Sequence, residues 1–340
     1  MIWEGLVLAL RRQPAIIDKY NLTEFRIWQQ NNKSPCPSKS SVFLQYEFLN
    51  YYQEITGVEV FVLLLDLGEG DFAYMVFDKK VDSEGKVILT SSSFSPYAGL
   101  VTDSITATKI IDAYHILTAY LLNEKRQGET LQIEIRLPPV QVYPRYEIDQ
   151  WALWSLNYQT ITGYLGRYIN QLNPSINRNR RRRLQTLAIN LKDSEIKVSE
   201  KVDRNVFDLM VENRQSRHGV KLIHSFLDFE FLSRLSGGEF LKIFYLKHES
   251  HICAAAVMFR DTDANILQYL GQSECGYVIG SQDLVLSEVI TWSNKENKPL
   301  LLGTSTRPEN SHREINAGLD LYKSSWGAKV YSCYRYTLDC

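Results

Sequence analysis

The densest run of chemistry-bearing side chains in this 340-residue chain is Asn177-Arg-Asn-Arg-Arg-Arg-Arg-Leu. Its four consecutive arginines, Arg180 to Arg183, present planar forked donors that suit a phosphate or a carboxylate. They can hold a pyrophosphate, a nucleotide-linked substrate or an RNA backbone. The plainer reading is a solvated helix start with its arginines fanned out, although cations there oppose the helix dipole. A second group, Tyr322, Lys323 and Trp326, falls in one predicted helix near the C-terminus. Tyr322 and Trp326 are four apart and share a face, the spacing of core residues. Lys323 beside them can hold an anionic group or simply face solvent. A third feature, Gly271-Gln-Ser-Glu-Cys-Gly-Tyr-Val-Ile-Gly-Ser-Gln-Asp-Leu, joins a predicted strand to a predicted helix. Gly280, Ser281 and Gln282 would there aim backbone N–H groups at an anion. The alternative is an ordinary glycine-bearing connection capped by Ser281 or Asp283. In the first half, Phe94-Ser-Pro-Tyr-Ala-Gly-Leu-Val places Tyr97 and Gly99 in a turn that lets a ligand approach the backbone, or in a turn and nothing more.

Other chemistries lack an anchor. No GxSxG elbow, HExxH, P-loop or GxGxxG occurs. The six histidines are dispersed, and His248 and His251 read as a solvated pair at a turn, so no metal site is expected. Five cysteines (Cys36, Cys253, Cys275, Cys333, Cys340) without CxxC spacing give neither a disulfide framework nor a zinc site, and fit a reducing compartment. A net charge of -1 argues against a whole-molecule field that gathers nucleic acid, so any such contact must be local. The brief apolar run in residues 1–12 carries its charges on the wrong side for a secretory signal. No window reaches the roughly 18 apolar residues of a membrane span. A cytoplasmic address is expected.

The elements that must position these residues fall into two halves, expected as domains at 1–165 and 166–340. The first half predicts a helix over 41–52, a strand over 60–65 and a hairpin partner over 71–77. A strand follows over 87–90, then a helix over 105–124 and a strand over 130–136. The aromatic stretch 151–168 reads as strands. The second half predicts a helix over 180–187, a short strand over 195–199 and helices over 204–217 and 225–235. Three consecutive strands follow at 240–247, 251–260 and 266–271. A helix over 282–297, a strand over 299–303, a helix over 314–325 and a last strand over 329–338 complete it. A meander followed by helix, strand, helix and strand is a mixed α/β pattern.

That order resembles the GNAT superfamily of acyltransferases, and specifically its Fem-type peptidyltransferase branch. The resemblance covers most of residues 175–338. It is carried by Arg180 to Leu187, Asn213-Arg-Gln-Ser-Arg-His-Gly, His251-Ile-Cys-Ala-Ala-Ala-Val-Met-Phe, Asp283 to Trp292, and Gly303 followed by Leu321-Tyr-Lys-Ser-Ser-Trp-Gly-Ala. The first half is similar more loosely, through Ser95-Pro-Tyr-Ala-Gly-Leu-Val, which looks like that family's proline-tyrosine-glycine loop. The resemblance implies a mixed α/β fold of two tandem GNAT-like domains. It implies transfer of an acyl or aminoacyl group to an amine of a peptidoglycan-precursor-like acceptor, with aminoacyl-tRNA or acyl-CoA as co-substrate and no permanently bound cofactor. Tyr97, Gly99, Arg181, Tyr322 and Lys323 are then expected at substrate, and Gly280, Ser281 and Gln282 at donor. No coiled-coil arm interrupts Asp203 to Leu235, and the Q/R-x-x-G-x-G/A loop of coenzyme A-dependent members is missing. No single catalytic residue stands out, as an activated ester needs only modest base help. The alternatives are a GNAT-shaped binding protein without chemistry, for a nucleotide sugar, peptide or protein partner, and RNA binding through the arginine run.

Overall fold

The computed structural model describes residues 17–31, 41–68, 70–102, 106–170, 176–192, 194–219, 221–306 and 314–340. The sequence readings of residues 1–12, Cys36 and His312 lie outside these. The chain divides into two compact units. One holds the described residues up to Tyr164 together with Ser332–Cys340, and the other is Leu165–Tyr331.

In chain order the first unit runs β1 (Ile17–Asn21), α1 (Leu22–Asn31), α2 (Tyr46–Thr56), β2 (Glu59–Asp66), β3 (Phe72–Val81), β4 (Val87–Thr90), β5 (Val101–Thr102), α3 (Ala107–Glu124), β6 (Leu131–Arg136) and α4 (Tyr146–Ser155). β7 (Gln159–Ile169) leads into the second unit. The expected continuous apolar strand is β2, and its alternation explains its burial on both faces. Phe61, Leu63 and Leu65 pack with Ile110, Tyr114, Leu117 and Leu121 of α3, whose 3.6-residue period makes one apolar stripe. Val60, Val62 and Leu64 face the other way, onto Leu22, Phe25 and Trp28 of α1 and Leu49 of α2.

The expected strands over 151–168 are only half right. Residues 146–155 form a helix, α4, because Tyr146, Asp149, Ala152 and Leu153 recur at helical spacing and are buried. Trp151 and Trp154 point outward. Strand propensity of aromatics lost to tertiary burial.

The second unit continues with α5 (Arg178–Asn190), β8 (Glu195–Ser199), α6 (Arg204–His218), α7 (Phe226–Leu232), β9 (Leu241–His248), β10 (His251–Arg260), β11 (Asn265–Gln272), α8 (Glu274–Ile279), α9 (Ser281–Lys295), β12 (Leu300–Thr304) and α10 (Ala317–Ser324). β13 (Lys329–Asp339) closes the chain. Its core packs Cys253, Ala254, Ala256 and Met258 of β10 against Val285, Leu286, Val289 and Ile290 of α9, with Trp326 wholly enclosed. Ser225, the expected start of the helix over 225–235, is the N-cap of α7 and forms a capping box with Asp228. Gly219 ends α6 in the left-handed conformation.

Strand order is β1-β2-β3-β4-β6-β13 in the first unit, with β5 on β3, and β7-β12-β11-β10-β9-β8 in the second. Leaving aside β5, α5 and the short α8, both halves of the sequence run strand, two helices, meander, helix, strand, helix, strand. The last strand of each half completes the ladder begun by the other half. Arg335 to Asp339 of β13 pair antiparallel with β6, and Gly166, Tyr168 and Ile169 of β7 pair antiparallel with β12.

Candidate functional site

The parallel seam of the second unit carries the site. β11 and β12 pair only at Asn265↔Leu300 and Ile266↔Leu301. Beyond these, β11 continues against β10 as far as Gln272↔Ala254, and β12 continues against β7 to Thr304↔Gly166. The two strands part, and a bulge at Gln268 bends β11 where they do so. The matching seam of the first unit is closed. All four residues of β4 pair with β6, and the following loop stays on that strand through Ser91 N–H to Glu134 O (2.8 Å) and Ala98 N–H to Arg136 O (2.8 Å).

Lys323 lies at the diverging end of β12. Gly303, at φ 74°, turns the strand so that its own carbonyl and that of Thr304 face one point. The Lys323 ammonium donates to both, at 2.8 and 2.7 Å. Lys323 is 7% exposed. Burial pushes its amine down to about 8, against the upward pull of the Asp320 carboxylate. Asp320, one turn earlier on α10, is itself held by a two-pronged pair with Arg167 (2.8 and 2.6 Å), which lowers its carboxyl below the usual range. Asn316 caps α10 and so sets the phase that turns Lys323 inward.

Beside Lys323 on α10, Tyr322 belongs to a second cluster. Its hydroxyl donates to Asp283 Oδ1 at 3.1 Å, and burial followed by the Asp283 charge raises it well above the ordinary phenol value. Arg180 pairs with Asp283 Oδ2, donates to Ser325 Oγ at 3.2 and 3.1 Å, and lies over the rings of Tyr322 (4.8 Å) and Trp326 (5.1 Å). Arg183 reaches the same carboxylate at 2.8 Å. Asp283 is in the first turn of α9, so a carboxylate of the chain itself occupies the anion-favouring end of that helix.

The sequence-predicted residues divide accordingly. Lys323 and Tyr322 are brought together with Arg180, not with Arg181. Arg178, Arg181 and Arg182, at helical spacing on α5, are exposed, and no described residue is recorded as their partner. Gly280, not Ser281 or Asp283, is the N-cap of α9, with φ 72°. A Cβ on Gly280 would lie 2.8 Å from Arg183 Nη2, and Ser281 is wholly buried with its hydroxyl donating to Gly276 O at 3.2 Å. Gln282 follows, half-buried.

Tyr97 and Gly99 lie in the loop that closes the first seam. Tyr97 is buried, and its carbonyl accepts from the Ser95 hydroxyl. A Cβ on Gly99 would meet Leu137 Cδ2 at 3.3 Å. The adjoining Leu100 carbonyl accepts from Tyr143 OH (3.5 Å) and from Arg145. Arg145 also faces Asp149 Oδ2 at 3.5 Å. Burial raises the wholly enclosed Asp149 carboxyl to about 6, against the opposing pull of Arg145. Sequence reasoning did not find this group, nor Arg167 and Asp320, and named Arg180 only within the arginine run and Asp283 only as a possible helix cap. An arginine next to the chosen one was the nearest signal. Among the described residues no cluster of three or more His, Cys, Asp or Glu could hold a metal, and no helix is long and apolar enough to cross a membrane.

No family model matches the sequence, and no curated protein matches it either. Among solved structures, FemX is similar over 93% of this chain and 96% of its own, with a TM-score of 0.62 and 12% identity. L-PGS from Bacillus licheniformis is similar over 85% and 90%, with a TM-score of 0.52 and 11% identity. A conserved protein of unknown function from Bacteroides thetaiotaomicron is similar over 95% and 99%, with a TM-score of 0.53 and 10% identity. The mixed α/β fold expected from the resemblance to the Fem branch is therefore the fold this chain shares with FemX.

Proposed function

We propose that this protein transfers an aminoacyl group to an amine of a peptidoglycan-precursor-like acceptor in the cytoplasm, at the parted seam of β11 and β12. The observation that carries the reading is the buried ammonium of Lys323, clamped to the carbonyls of Gly303 and Thr304 where the two strands diverge. Attack of an amine on an ester carbonyl builds negative charge on the carbonyl oxygen. A fixed cation screened from water stabilises that charge far more than a solvated one would. Two of the three ammonium protons are engaged by carbonyls, which leaves one to donate to the oxyanion. With its proton affinity brought down to about 8, Lys323 also exchanges a proton with the attacking amine at small cost.

Two features favour aminoacyl-tRNA over acyl-CoA as donor. The start of α9, where a pyrophosphate would be drawn, already holds Asp283 between Arg180 and Arg183. The exposed row Arg178, Arg181 and Arg182 offers three forked cations on one side of α5 to a phosphodiester backbone. Incubation with charged tRNA and a UDP-linked muropeptide should yield the extended peptide. Lys323→Met should cut kcat about 100-fold or more with little change in KM, as expected for a group that acts in the transition state. Failure of every charged tRNA, or a Lys323→Met variant with full turnover, would reject the proposal. Turnover with acyl-CoA in place of tRNA would reassign the donor alone.

A further inference from the structure

Cys253 and Cys275 have their sulfurs 3.6 Å apart in the second unit. The approach is built into the backbone. Ser273, the N-cap of α8, bonds the Cys253 carbonyl twice, through its N–H at 2.9 Å and its hydroxyl at 3.2 Å. Gly276 presses α8 against the same carbonyl so closely that a Cβ there would lie 1.9 Å from the oxygen. A disulfide has an S–S distance of about 2.05 Å, so closing this pair takes sulfur movement of about 1.5 Å. Exposure is divided between the two: Cys253 is 1% exposed on β10, whereas Cys275 faces solvent on the first turn of α8. Cys333 and Cys340, the other described cysteines, belong to the other unit, and the Cys333 thiol donates to Leu137 O at 3.1 Å.

We propose that Cys253 and Cys275 are a reversible redox-modification site that reacts with a small-molecule disulfide and closes an internal bond fastening α8 to β10. The Cys275 thiolate attacks one sulfur of the incoming disulfide. A mixed disulfide forms as the old S–S bond breaks, and the departing thiolate takes up the proton that Cys275 lost. Cys253 then gives up its proton and attacks Cys275 Sγ, expelling the second small thiol, which carries that proton away. Two protein thiols are oxidised and one small disulfide is reduced to two thiols. The order follows from exposure, since an outside reagent reaches Cys275 first. Burial pushes the Cys253 thiol up to about 11, which suits a group that reacts only intramolecularly with a partner already placed beside it. The bond would fix α8 between the end of β11 and the start of α9. The inference rests on the sulfur geometry and not on the acyl-transfer reading.

The test uses the full chain, oxidised glutathione as the probe, alkylation of remaining thiols without reductant, and peptide mass mapping. The expected result is a linked pair of peptides carrying Cys253 and Cys275, an intact mass lower by two hydrogens, and full reversal by reduced glutathione. In Cys253→Ala the glutathione should stay on Cys275 as a mixed disulfide. Cys275→Ser, a surface change that leaves the core intact, should form no internal bond. Glutathione retained on Cys275 of the unchanged protein would overturn the proposal. So would both cysteines remaining fully alkylatable after exposure to the oxidant.

Discussion

Replacing Lys323 with methionine tests whether a charge is held out of water at the mouth of β12. Burial disfavours the ammonium and brings its proton affinity down to about 8, against an ordinary lysine near 10.5. Between those pH values the unfolded chain keeps a proton that the folded chain has lost. Stability contributed by Lys323 therefore rises with pH across that window and is lowest below pH 8. Each pH unit inside the window corresponds to about 1.4 kcal/mol. From pH 7 to pH 10 the unchanged protein should gain about 2.5 kcal/mol relative to Lys323→Met, which has nothing to titrate there. At neutral pH the variant is relieved of the buried charge but leaves the carbonyls of half-buried Gly303 and exposed Thr304 without that donor, a loss below the roughly 1–3 kcal/mol of a fully buried acceptor. The two effects oppose, so the pH dependence, not the neutral-pH value, is diagnostic. Urea unfolding of both proteins at the two pH values measures it. The Lys323 13Cε resonance, assigned by its absence from the variant, gives the midpoint directly. A stability difference that stays flat with pH, or a midpoint at the ordinary lysine value, would refute the clamped-cation argument.

Asp283→Ala leaves Arg180 buried beneath Tyr322 and Trp326 without its carboxylate, and should cost about 3–5 kcal/mol in chemical denaturation. Arg183→Ala, whose side chain is 57% exposed, should cost under about 1 kcal/mol in the same assay. Gly276→Ala places a methyl group 1.9 Å from the Cys253 carbonyl oxygen and should lose about 3 kcal/mol, read as a lowered urea midpoint. In the first unit, Asp149→Ala removes the carboxylate beside the mostly buried Arg145 and should cost about 3–5 kcal/mol in chemical denaturation.

What the sequence made legible was whatever depends on short-range pattern. The run Val60 to Leu65 announced a buried strand, and Ser225 announced a helix start, to which the structure adds Asp228 to complete a capping box. The caps that Asp203 and Asn177 supply to the helices after them were not read. What depends on phase and on distant partners stayed hidden. Arg180 and Arg181 are equivalent on paper, and one step of about 100° around α5 decides which is enclosed by Tyr322, Trp326 and Asp283. Lys323 could be named as a candidate, but whether it meets solvent or two carbonyls depends on the left-handed turn at Gly303. The six-residue α8 went unread because a single turn and a half leaves no periodicity to detect. Nothing in linear spacing brings Cys253 to Cys275.

The two halves show the same division at the scale of the fold. Their shared element order follows from hydrophobic patterning and could be read from the chain. Their inequality could not, because it arises from how far two parallel strands stay paired. β4 is four residues long and wholly matched to β6, and the Arg136 N–H is taken by Ser91 Oγ at 3.0 Å, so the loop carrying Tyr97 and Gly99 finishes the seam. β11 is twice as long, bulged at Gln268, and shares only two residue pairs with β12. In the closed seam the backbone N–H groups of Ser91, Ala98 and Arg136 are all paired across it. In the parted one the two strands separate after two pairs, and β12 ends beside the clamped Lys323 ammonium. On the proposed function the transfer takes place at the parted seam of the second half, although the same pattern of elements builds both halves.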